Sequence, residues 1–110
     1  MAAISRKLAQ TFERETYTIG PGQTVNLDTV LYSALTSKKY IIDISIAAQN
    51  RFKAFEMLVS KKGTDVTDSI FAKLGDQVNV SVNFSKISTD AILAATNNEA
   101  VSVVLNILKI

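Results

Sequence analysis

The chain of 110 residues has no cysteine, no histidine and no tryptophan, one proline and four glycines. Without cysteine there is no disulfide framework and no thiolate metal site, and cysteine usage is silent on the redox compartment. Without histidine the commonest general base, the commonest metal ligand and any Ser-His-Asp triad are excluded together. A dominant charge is missing too. Twelve basic and ten acidic residues leave a formal charge of +2, which gives no strong electrostatic argument for nucleic acid or an anionic membrane. No apolar run approaches the ~20 residues of a spanning helix. Met1–Lys7 lack the apolar core of a signal peptide, so the chain is expected to be made in the cytosol. What is present is enough length for one domain, 47% hydrophobic residues and a mean hydropathy of +0.19. That balance leans apolar and hints at surface covered by a partner.

The clearest pattern is Val78-Asn79-Val80-Ser81-Val82-Asn83-Phe84-Ser85, where apolar and polar residues alternate without a break. Successive side chains of a strand point to opposite faces, so this is a strand with one buried and one wet face. The same grammar recurs. Tyr17-Thr18-Ile19 stops at Gly20-Pro21-Gly22; Val25, Leu27, Thr29 and Leu31 alternate with Asn26, Asp28 and Val30. Tyr40, Ile42, Ile44 and Ile46 share one face. A strand over 51–60 is expected to turn through a three-residue loop, Lys61-Lys62-Gly63, into a strand from Thr64 to Ala72. Leu74-Gly75-Asp76 is a further break. Residues 91–96 and 99–110 flank Asn97-Asn98, which reads as a two-residue hairpin turn because asparagine tolerates positive φ. Seven or eight short strands at this spacing predict an all-β antiparallel sandwich, jelly-roll or immunoglobulin-like, over residues 15–110.

Residues 1–14 read differently. Ile4, Leu8 and Phe12 recur every fourth position, a narrow helical stripe. A helix this short is marginal alone and must dock, either on its own domain or, as an assembly arm, on a neighbour. Two strands also break the one-face rule. Phe52 and Leu58 lie opposite Phe55, Met57 and Val59; Val104 and Leu108 lie opposite the row Val101, Val103, Leu105 and Ile107. In a two-layer sandwich the outer side should be wet, so doubled apolarity marks a face that something covers. Ile4, Leu8, Phe12, Phe52, Leu58, Val104 and Leu108 are therefore the candidate subunit interface.

Chemistry is scarce. Asp65, Asp68, Asp76 and Asp90 form no dense calcium-loop run, and such residues at turns normally cap backbone groups. Lys38-Lys39 and Lys61-Lys62 mark turns, where charge discourages edge pairing, and they lack the aromatics of a nucleic-acid module. Gly20-Pro21-Gly22 lacks the Lys-Ser/Thr and helix of a phosphate loop. Glu56 is a lone carboxylate near Lys53 and Arg51, not a glycosidase couple, and needs a partner if buried. With no nucleophile and base together, no enzyme, cofactor or metal is expected.

Ser37-Lys38-Lys39-Tyr40-Ile41-Ile42-Asp43-Ile44 is similar to the S-x-K-Y-x-I-x-I opening of a β-domain in structural proteins of tailed bacteriophages. Phe55-Glu56-Met57-Leu58-Val59, Lys62-Gly63-Thr64, Thr67-Asp68, Leu74-Gly75 and Ala91–Asn98 resemble, in order, the later features of that family. The likeness spans residues 16–110. Ser60-Lys61-Lys62-Gly63 departs from the family's His-Asp-Gly, and residues before Glu15 have no counterpart. The resemblance implies a non-enzymatic virion component in a tail-fibre, neck or head-accessory role. Its expected partners are its own copies and other virion proteins, with no nucleic acid, membrane or small-molecule substrate. The rival expectations are a carbohydrate- or receptor-binding module, for which exposed aromatics are few, and a nucleic-acid-binding barrel.

Overall fold

The computed structural model describes residues 13–110. The expected N-terminal helix or arm, with Ile4, Leu8 and Phe12, lies outside the described residues. The described chain is nearly all strand: β1 (Glu13–Ile19), β2 (Thr24–Leu31), β3 (Lys38–Ile46), β4 (Arg51–Lys62), β5 (Asp65–Gly75), β6 (Val80–Ile87), β7 (Asp90–Asn97) and β8 (Val103–Lys109). β1 starts inside the segment read as an arm, with Glu13 and Arg14 paired to Lys109 and Leu108.

The strands form two antiparallel sheets, a five-stranded one in the order β1-β8-β3-β4-β5 and a three-stranded one in the order β2-β7-β6. This is the expected β-sandwich. Its winding is mixed: β1 lies beside β8 and β2 beside β7, as in a jelly roll, whereas β3, β4 and β5 form a consecutive meander. The core between the sheets holds Tyr40, Ile42 and Ile44 of β3, Phe55, Met57 and Val59 of β4, Leu105 and Ile107 of β8, and Leu93 of β7. Residues 78–85 alternate buried and exposed without exception, so the wet outer face expected there is present.

Four expectations need correction. Asn97-Asn98 is not a hairpin turn: β7 and β8 belong to different sheets and do not pair. Neither asparagine has positive φ, and the Asn97 side chain is committed to the crossover. It donates to the carbonyls of Ile19 (2.9 Å) and Val101 (2.8 Å) and accepts from the Glu99 amide (2.8 Å). Val101 consequently precedes β8 and stands partly exposed. The β4–β5 turn is shorter than read. Lys62 pairs with Asp65 across a two-residue loop in which Gly63 alone has positive φ (61°), the signature of a type II′ turn. Finally, β2 does not alternate throughout. Its register slips at a bulge between Asn26 and Asp28, and a one-residue slip exchanges the two faces. Leu27 remains buried, Asp28 turns towards the core, and Leu31, expected inside, is exposed.

Candidate functional site

The outer face of the five-stranded sheet gathers every candidate interface residue that the structure describes. Cross-strand partners share a face, so the register defines rows across it. One runs Arg14, Leu108, Ile41, Glu56, Phe71 and another Thr18, Val104, Ser45, Phe52; Leu58 stands between Lys39 and Ser69. Phe52, Leu58 and Val104 are 41%, 45% and 37% exposed, while Leu108 is half-buried. Ile41 and Phe71 join them on this face and were not picked from the sequence. Ile41 opposes the Tyr40–Ile46 face, so the doubled apolarity noted in β4 and β8 was also legible in β3.

A polar ladder crosses the middle of the face. The Thr16 hydroxyl donates to Asn106 Oδ1 (2.6 Å), and Asn106 Nδ2 donates to Asp43 Oδ1 (2.8 Å). Beside it, Lys39 Nζ meets Glu56 Oε1 at 2.6 Å and lies 5.9 Å from the Phe71 ring centre. Glu56 therefore finds its partner on β3, not in Lys53 or Arg51. A shallow depression of about 280 Å³ between Arg14, Ile41, Asp43 and Leu108 opens on the same face.

The bulge in β2 builds a second cluster, between the sheets. Asp28 Oδ2 accepts from Tyr40 Oη (2.7 Å) and Lys38 Nζ (2.9 Å), and Lys109 Nζ lies 3.4 Å from Asp28 Oδ1 while also pairing with Glu15. Burial pushes the Asp28 carboxyl up, but the hydrogen bonds from Tyr40 and Lys38 outweigh it and hold its pKa below the ordinary range. Burial and the neighbouring carboxylate raise the Tyr40 hydroxyl. Burial lowers Lys109, and Glu15 and Asp28 more than reverse it. Each charge here has an opposite neighbour, so the cluster clamps one sheet to the other rather than offering a free acid or base.

A third cluster lies where β4 begins. Arg51 Nη2 donates to Glu99 Oε2 (2.5 Å), which also accepts from the Asn79 amide (2.6 Å). That backbone hydrogen bond, helped by Arg51, holds the Glu99 pKa down. Among the described residues no group of three or more acidic side chains is placed to hold a metal ion.

No protein-family model matches the sequence, and no curated protein matches it. In fold the chain is similar to part of a solved structure, the tailspike protein of Acinetobacter phage vB_ApiP_P1. The TM-score is 0.50 at 14% identity, over 91% of this chain. The match occupies 21% of the tailspike chain, so this protein spans about a fifth of that one's length. At this identity the likeness concerns the fold.

Proposed function

We propose that the protein is a non-enzymatic structural module of a bacteriophage virion that assembles through the outer face of its five-stranded sheet. The observation that carries this is the set of exposed apolar side chains on that face, Phe52, Leu58 and Val104, around a polar ladder that gives a partner register. Full burial of each such side chain contributes about 1.5–3 kcal/mol, so a few shared across a symmetric contact are enough to hold copies together. The tailspike likeness supports a virion role and favours the tail over the neck or head. The N-terminal stripe Ile4, Leu8 and Phe12 supplies a second contact in this reading.

Sedimentation of the full chain at micromolar concentration, with imaging of antibody-labelled virions, tests it. The expected outcome is an oligomer that Leu58→Lys converts to monomer, and label on the particle. A chain that stays monomeric at every concentration and is absent from particles overturns the reading. Removal of residues 1–12 is expected to weaken incorporation; normal incorporation would remove the arm from the proposal.

A further inference from the structure

β5, at the edge of the five-stranded sheet, is exposed on both faces along almost its whole length and so overhangs the three-stranded sheet. At the end of this overhang, the connection 76–79 closes a groove of two adjoining clefts, about 560 and 340 Å³, which share Lys53 and Gln77. Those volumes fall in the ~300–1,000 Å³ range of small-ligand sites.

The walls are fixed from within. The Asp76 amide donates to the Phe52 carbonyl (2.6 Å), and Asp76 Oδ2 accepts from the Phe52 amide (3.0 Å). Gly75, at φ +99°, sits so close that a Cβ would lie 2.2 Å from Phe52 O. Both carboxylates of the groove are held by the protein, Asp76 keeping its charge beside a single backbone amide and Glu99 engaged by Arg51 and the Asn79 amide. Lys53 and Lys73 are left as lining cations with no ion-pair partner among the described residues. The side-chain amides of Gln77 and Asn79 make no hydrogen bond to the described protein and can donate and accept as hydroxyl groups require.

We infer that this groove binds an acidic sugar, its carboxylate between Lys53 and Lys73 and its hydroxyls on Gln77 and Asn79. Two other anionic partners fit less well. An acidic peptide added as a strand would need the open outer edge of β5, whereas the 76–79 wall of the groove offers it little, because the Asp76, Asn79 and Val80 amides and the Asn79 carbonyl are already paired within the chain. A nucleic acid needs aromatic faces for stacking, and no aromatic side chain lines the groove. The inference goes beyond the assembly reading and does not depend on it.

Calorimetric titration of the full chain tests it with trigalacturonate and sialyllactose as probes, against neutral maltotriose, tetraglutamate and inorganic phosphate. Binding of at least one acidic sugar is expected, with no comparable binding of the other three. Lys53→Gln and Lys73→Gln should each weaken it about tenfold, the scale of one charge-assisted hydrogen bond. Lys62→Gln, outside the groove, should leave it unchanged. Backbone amide shifts in the unmodified chain should move at residues 73–79, which keeps the test decisive if a variant misfolds. Failure of both acidic sugars to bind, equal binding of maltotriose, tetraglutamate or phosphate, indifference to both lysine variants, or shifts confined to another face would each overturn the inference.

Discussion

Asn97 is fully buried and anchors the start of the crossover between the sheets. Its amide serves two carbonyls from different strand ends, Ile19 and Val101, and its oxygen takes the Glu99 amide. Asn97→Ala would leave those groups without partners, and a buried unsatisfied group costs ~1–3 kcal/mol. Urea denaturation should show a loss of about 2–4 kcal/mol; a loss below about 1 kcal/mol would mean that water replaces the side chain. Gly75 has a different sensitivity. Its positive φ and the 2.2 Å approach of Phe52 O leave no place for a methyl group. Gly75→Ala should therefore cost about 2–4 kcal/mol in the same measurement, whereas Gly22→Ala, in open space, should suffer only the milder penalty of its positive φ.

At the scale of the element, β4 presents two apolar faces with different fates. Met57 is fully buried against the second sheet, and its neighbour Leu58 points outward. Met57→Ala should destabilise the subunit by about 2–5 kcal/mol. Leu58→Thr should change subunit stability by no more than about 0.5 kcal/mol while abolishing self-association in sedimentation. A Leu58 variant as damaging to the isolated subunit as the Met57 variant would show that this face serves folding instead. β2 teaches the complementary lesson. Strict alternation put Asp28 on the face opposite Leu27, and the bulge overrides it. Nothing in Val25–Leu31 announces that slip; it is stabilised by Lys38, Tyr40 and Lys109, which arrive from other strands.

For the whole molecule, the Asp28 cluster, together with Glu99 on the acid side, sets the pH range of stability. The folded Asp28 pKa is depressed, so its contribution is present above the unfolded value near ~3.9 and is lost as pH falls through the folded one. Lys109 and Tyr40 are raised. Their contributions are intact below the unfolded values near ~10 and decline as pH rises beyond them. With no histidine in the chain, stability should be nearly flat from about pH 5 to 9 and fall on both sides. Asp28→Asn should lower the plateau and flatten its acid limb. A thermal-denaturation series in pH checks this, and a pronounced step near pH 6–7 would contradict it.

The buried faces of β3, β4 and β6 are legible in the sequence alone, because side-chain direction alternates every residue and the 78–85, 40–46 and 55–59 rows need nothing distant to be read. The sequence also marked Phe52, Leu58, Val104 and Leu108 as surplus to a single core. Only the tertiary structure decided which strands meet. Asn97-Asn98 is a plausible hairpin by local chemistry, and it becomes a sheet crossing because the Asn97 amide satisfies carbonyls 78 and 4 residues away. Pairing β8 with β1 and β3 then sets Val104 and Leu108 beside Thr18, Ser45 and Ile41. Placing five strands on three opens the Lys53–Lys73 groove, since an overhang is a relation between sheets that no single segment encodes.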